Sequence, residues 1–188
     1  MRYLSLCVVS VSVIGIVSTA GVAKTTASGP ALAAQSETAA TAAADVKDAE
    51  GKSLGTAELS ETPTGVIVTV KLSGIPPGEH ALHLHTTGQC QAPDFKSAGG
   101  HYNPESNTHG FKSPKGTHKG DLPNVYVDAD GTLNVDAFVS GVTLAPGAQS
   151  LLDDDGTAIV VHAKLDDYST DPAGDAGDRI ACGVVEKK

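Results

Sequence analysis

None of the seven histidines in this 188-residue chain lies before residue 80. They are His80, His83, His85, His101, His109, His118 and His162. Imidazole titrates near neutral pH and is the commonest metal-binding side chain, so spacing decides what such a group can do. His83 and His85 stand two apart in His-Leu-His. On a strand, a period of two puts both rings on one face, where two imidazoles can grip a single ion. His101, His109, His118 and Asp121 follow at short intervals. Three imidazoles and a carboxylate make a closed tetrahedral set suited to zinc, and imidazole suits copper as well. His162 ends the run Ala-Ile-Val-Val-His; taken alone it reads as a histidine at the edge of a core. His80 falls in opposite phase to His83, which predicts a buried ring hydrogen-bonded to backbone. Asp153-Asp-Asp-Gly156 lacks the alternating ligands of a calcium loop and reads as a solvated turn.

The elements that must position these side chains are strands. Val66, Val68, Val70 and Leu72 share one face of Gly65–Ser73, while Ile67, Thr69 and Lys71 share the other, the mark of a half-buried strand. Further strands are predicted before Gly51, over Gly55–Glu61, Glu79–His85, Asn124–Val127, Thr132–Val139 and Ala158–His162, and from Arg179 to Val185. Asp-Ala-Asp-Gly between residues 128 and 131 signals a hairpin. About eight strands, with no useful helical periodicity, predict an all-β sandwich or barrel. Residues 86–123 carry no strand pattern, and a loop that long inside a compact domain needs a reason. Metal ligands and a disulfide supply one.

Length predicts one domain. The formal net charge is −9, with 13 basic against 22 acidic residues. No basic stripe is present, which argues against nucleic acid as a partner. Arg2, the apolar run Leu4–Val17 and the small residues after it have the order of a secretory signal. That run is too short to span a bilayer, so stable membrane insertion is not expected. Residues 1–33 are read as the signal peptide, cleaved after Ala23 or Ala33, residues 34–44 as a flexible linker, and residues 45–188 as the folded domain. Cys7 would leave with the signal. Cys90 and Cys182 remain, and an even pair in an exported protein reads as a disulfide.

Taken together, the segments resemble copper/zinc superoxide dismutase of the bacterial exported type. They are His83-Leu-His85, Gly-Gly-His101-Tyr-Asn-Pro, His109-Gly, His118, Gly-Asp121-Leu, Val-Val-His162 and Gly-Asp-Ala-Gly-Asp-Arg179-Ile-Ala-Cys182-Gly-Val, in the family's order from about residue 45 to the end. The resemblance implies an eight-stranded Greek-key β-barrel with two long functional loops, in a periplasmic or other envelope or extracellular enzyme with one copper and one zinc ion per chain. It implies copper on His83, His85, His101 and His162, and zinc on His101, His109, His118 and Asp121, so that His101 bridges the two. It gives Asp166 the place of a carboxylate linking a copper histidine to a zinc histidine, makes Cys90–Cys182 the bridge from the long loop to the last strand, and puts Arg179 beside the anion.

The implied reaction is dismutation of superoxide to oxygen and hydrogen peroxide, with Arg179 and His101 as the catalytic residues. The alternative is a non-enzymatic copper/zinc-binding envelope protein. Superoxide is an anion and the chain is acidic, so local charge has to steer it. Arg179 is the main candidate, with Lys112, Lys115, Lys119 and Lys164 as possible helpers. A homodimer is possible, and no exposed apolar stripe specifies one.

Overall fold

The alternation read in Gly65–Ser73 becomes the third strand of a curled antiparallel sheet. The computed structural model describes residues 40–188, so the signal segment, Cys7 and most of the linker lie outside the described residues. The strands are β1 (Thr41–Asp48), β2 (Ser53–Thr62), β3 (Gly65–Ser73), β4 (Gly78–His80), β5 (Leu82–His85), β6 (Val125–Val127), β7 (Thr132–Ser140), β8 (Ala158–His162), β9 (Arg179–Val184) and the short β10 (Glu186–Lys187). Val66, Val68 and Val70 are completely buried, as the pattern requires. The main sheet runs β5-β8-β9-β1-β2-β3-β7, with β10 added to β1, and β4 pairs with β6. Because β6 lies against β7 and β4 passes into β5 after one residue, the ring closes into a barrel. β3 leads past β7 and β6 to β4, and β7 leads past the β4–β6 pair to β8, which are the two Greek-key crossings.

Two boundaries differ from the sequence reading. The linker does not reach residue 44, because β1 starts at Thr41. Ala42 and Ala44 are buried in the core and Ala42 and Ala43 pair with β10. Alanine is a poor strand former, so only tertiary pairing reveals this strand. The predicted strand Glu79–His85 breaks at Ala81, whose N–H donates to Lys164 O (2.8 Å) and whose carbonyl accepts from His162 N–H (2.9 Å).

Residues 86–123 form the long loop, with one 3-10 turn at Lys96–Ala98. Cys90 and Cys182 are bonded, with Cα atoms 5.7 Å apart. Phe95, Ala98, Ala158, Val160 and Cys182 form a second small core beneath this bridge. The bridge therefore pins the loop to β9 and to the strand that ends at His162. It joins residues 92 apart, and for a ring that size the chain-entropy model gives about 4–5 kcal/mol. The Cys90→Ser/Cys182→Ser double variant should lose stability up to that amount in denaturant melts; an unchanged midpoint would show that the small core alone holds the loop.

Candidate metal centre

β5 places His83 and His85 two residues apart, and the long loop comes to meet them. Leu84 N–H donates to Gly120 O (2.9 Å), Tyr102 N–H donates to Leu84 O (2.8 Å), and Gly120 N–H donates to Tyr102 O (2.8 Å). Single-residue bridges pair His83 with Asp121 and His85 with His101. A side chain at Gly120 would collide with Leu84 O and lie 2.8 Å from Tyr102 N, so only glycine lets the loop come this close. His162 arrives at the end of β8, on the other side of β5.

Two buried groups result. His83, His85, His101 and His162 each offer a ring nitrogen, all within 4.8 Å of one another; so do His101, His109, His118 and Asp121, counting a carboxylate oxygen. In the first group, His83 Nε2 sits 2.9 Å from Asp166 Oδ2, His85 Nδ1 sits 2.9 Å from Gly99 O and His162 Nδ1 sits 3.3 Å from Gly177 O. The opposite nitrogens turn inward. His85 Nε2 and His162 Nε2 approach to 3.3 Å, while His83 Nδ1 and His101 Nε2 are buried without any hydrogen-bond partner.

In the second group, Asp121 Oδ1 lies 2.8 Å from His101 Nδ1, 3.1 Å from His109 Nδ1 and 3.2 Å from His118 Nδ1. A tetrahedral ion with metal–ligand bonds of about 2.0–2.1 Å has edges of about 3.3 Å, and these atoms, at hydrogen-bonding distance, lie within about 0.5 Å of that spacing. Asp121 Oδ2 accepts from Gly110 N–H (2.9 Å), Thr117 Oγ1 (2.7 Å) and His118 N–H (3.0 Å). Asp166 joins the groups: its Oδ1 is 2.9 Å from His109 Nε2, its Oδ2 is on His83. Gly174 packs against it with φ 65°, where an added Cβ would collide with Asp166 Oδ1 and His109 Nε2.

Burial sets the protonation states. It pushes His85 down to about 2, His162 to about 3 and His101 to about 4, the last against the opposing pull of Asp121. Burial alone would raise the Asp121 carboxyl, but hydrogen bonds from His101, His118, Gly110 N–H and Thr117 outweigh it and hold it well below the usual range. Asp166 is held near 2 in the same way, by His83 and His109. Neutral imidazoles beside ionised carboxylates are the forms that bind metal.

A family model for copper/zinc superoxide dismutase matches residues 53–185. The chain belongs to the copper/zinc superoxide dismutase family. Membership makes it an oxidoreductase acting on superoxide, with one copper and one zinc as its metals. It is 47% identical over 145 residues to superoxide dismutase [Cu-Zn] 1 of Aquifex aeolicus, covering 76% of this chain and 86% of that one. It is 45% identical over 148 residues to the Caulobacter vibrioides superoxide dismutase, covering 77% and 85%. Among solved structures, a double mutant of a superoxide dismutase-like protein from Bacillus subtilis superposes with a TM-score of 0.73 at 39% identity, over 76% of this chain and 95% of that one. The Cu/Zn superoxide dismutase from Brucella abortus gives 0.62 at 30% identity, over 78% and 99%. The fold expected for the superoxide dismutase family is thus the fold found. The disulfide fits a protein that matures outside a reducing cytosol, in keeping with export.

Within this superoxide dismutase fold the pair and the loop set read from spacing come together. His162, read alone as a core-edge histidine, joins the first group as the resemblance implies, and Asp166 lies between the two groups. His80 is buried, with its ring nitrogens facing His162 O (2.7 Å) and Pro76 O (2.8 Å). Arg179 donates to Phe95 O (2.7 Å) and Gly99 O (2.6 Å), and Gly99 O also faces His85. The cleft outside Arg179 is lined by Pro93, Asp94, Lys96, Gly177 and Asp178. None of the four lysines singled out from sequence lines it. Lys112 reaches Asp167 O, Lys119 pairs with Glu105 and Lys164 lies 3.9 Å from Asp175. Lys96, which sequence reasoning missed, is the lysine at this rim, paired with Asp94 at 3.0 Å. Its position three residues before Gly-Gly-His101 was the only available signal.

Superoxide dismutase is a standard instance of charge steering. In water, a unit charge about 10 Å from an anion's path changes its energy by about 0.4 kcal/mol, roughly twofold in local concentration. Asp94→Asn should therefore raise kcat/KM by about that factor at low ionic strength and Lys96→Gln should lower it, both effects fading with salt. Equal rates at low salt would remove this rim from the approach path. Gly174→Ala should displace Asp166 and weaken metal binding on the order of 10–100-fold, the usual effect of disturbing a group behind the ligands, as read by chelator competition.

Proposed function

We propose that His83, His85, His101 and His162 hold the copper and that His101, His109, His118 and Asp121 hold the zinc, in an exported superoxide dismutase. The observation that carries this division is His101. Its Nδ1 lies 2.8 Å from Asp121 in one group, and its Nε2 is buried without a partner beside the other. A single imidazole with both nitrogens turned toward donor clusters is built to be shared.

Copper, when bound, supplies the one-electron chemistry by alternating between Cu(II) and Cu(I), oxidising one superoxide to oxygen and reducing a second, which leaves as hydrogen peroxide. His101 Nε2 would take up one proton in one half of the cycle and give it up in the other, the second proton of the peroxide coming from water. Anchorage of Nδ1 beside Asp121 keeps the ring from turning while that proton comes and goes. Arg179 presents a planar donor fork that stays charged at any working pH. Two of its N–H groups are committed to Phe95 O and Gly99 O, which fixes the guanidinium and leaves others for the anion. Asp166 holds His83 Nε2, which leaves the buried, unpartnered His83 Nδ1 as the nitrogen that would bind copper.

Protein loaded with both ions should contain one copper and one zinc per chain and dismutate superoxide rapidly; zinc without copper and no activity would leave the non-enzymatic metal-binding alternative. His83→Ala should lose copper and activity while keeping zinc. Asp121→Ala should weaken zinc first, by more than about tenfold; loss of copper with zinc retained would reverse the division. Arg179→Ala should slow turnover with both metals bound. A charge-assisted hydrogen bond worth about 1.5–3 kcal/mol corresponds to roughly 10- to 150-fold, and an unaltered rate would exclude Arg179.

The finer localisation is the periplasm or cell envelope, reached through the signal in residues 1–33. It rests on the order of Arg2, the apolar run and the small residues after it. N-terminal sequencing of exported protein should read from Lys24 or Ala34, and a mature chain that still begins at Met1 would refute it.

A further inference from the structure

We infer that Tyr168 is a positioning residue that sets the Asp166 carboxylate between the two metal sites; the inference rests on the division of ligands proposed above. Tyr168 has φ 62°, a left-handed conformation that bulky residues rarely adopt. That turn aims its own N–H at Asp166 Oδ1, at 2.6 Å. The same oxygen faces His109 Nε2, and its twin faces His83 Nε2, each at 2.9 Å. The backbone of Tyr168 thus fixes which carboxylate oxygen serves which histidine.

What holds Tyr168 in this conformation comes from the zinc side of the fold. Lys112 N–H donates to Tyr168 O (3.0 Å). Asn124 N–H donates to the Tyr168 hydroxyl (2.7 Å), and the Asn124 side chain exchanges hydrogen bonds with the Asp166 backbone, both at 2.8 Å. The ring lies against Phe111, centroids 5.4 Å apart, with Lys112 Nζ 5.6 Å above it. Phe111 and Lys112 directly follow His109-Gly110, so the segment carrying one zinc ligand also carries the socket for Tyr168. Ordering of that segment fixes Tyr168, Tyr168 fixes Asp166, and Asp166 turns His83 toward the copper position. A tyrosine outside both ligand sets is therefore part of the link between zinc loading and copper-site geometry.

The test is a double-mutant cycle, since residues acting through one another give non-additive effects. Zinc release to a chromogenic chelator is measured on copper-free, zinc-loaded protein for the unaltered chain, Tyr168→Ala, Asp166→Ala and the double variant. Tyr168→Ala should speed release on the order of 10–100-fold, with no further change when Asp166 is already alanine. The Cu(II) electron paramagnetic resonance signal of the fully loaded Tyr168→Ala protein should match that of Asp166→Ala. The same acceleration in both backgrounds, or none in either, would overturn the role. Should Tyr168→Ala fail to fold, Tyr168→Phe keeps the ring and loses the bond from Asn124. It should speed release several-fold, again only where Asp166 is present, and no effect or an additive one overturns the proposal. An unaltered chain that takes up no zinc at all would defeat the ligand division itself; zinc uptake with an additive cycle would defeat only Tyr168.

Discussion

A dry interior does not tolerate polar atoms without partners, and this chain gathers many of them at one point. His83 Nδ1 and His101 Nε2 have no partner, the His85 and His162 Nε2 atoms face each other, and three Nδ1 atoms surround one Asp121 oxygen. Much of the surrounding structure prevents these atoms from finding other solutions. Gly99 O and Gly177 O hold the outward nitrogens of His85 and His162, Asp166 holds those of His83 and His109, and Gly110, Thr117 and His118 occupy the second oxygen of Asp121. Cations are what such a cluster lacks, so the energy withheld on folding becomes available to metal binding.

Backbone strain is placed with the same economy. Phe95 and Tyr168 are both aromatic and both left-handed, at φ 51° and 62°. Phe95 turns its carbonyl to Arg179, and Tyr168 turns its N–H to Asp166. Each ring is held by packing, Phe95 in the small core under the disulfide and Tyr168 against Phe111. Unfavourable conformations that persist beside a reactive centre need such over-determination by their surroundings.

Much of the two buried groups was legible in the sequence because metal chemistry restricts residue type and strand geometry restricts spacing; His162 and the sharing of His101 were legible only through the family resemblance. His-Leu-His on one strand face and the buried face of Gly65–Ser73 needed only a period of two. Other features were illegible because they depend on distant parts of the chain. The alanine-rich start of β1 becomes a strand only through β2 and β10. The break at Ala81 comes from bonds to residues 162 and 164. Lys96 cannot be told from Lys112 or Lys119 until the loop is folded around Arg179. Tyr168 acquires its role from Lys112 and Asn124, more than 40 residues earlier, and no local pattern records that.

The way the long loop lies along β5 has a consequence beyond catalysis. β5 pairs with β8 on one side only. Its other edge is occupied by His101, Tyr102, Gly120 and Asp121, through the bridges to His83 and His85 and the hydrogen bonds to Leu84. These covering residues include His101 and Asp121, two members of the second buried group. Without that loop, the short strand Leu82–His85 would present unpaired N–H and C=O groups along this edge, the kind of edge on which strands add to one another. Whatever keeps His101 and Asp121 in place, a bound ion included, therefore also keeps that edge covered.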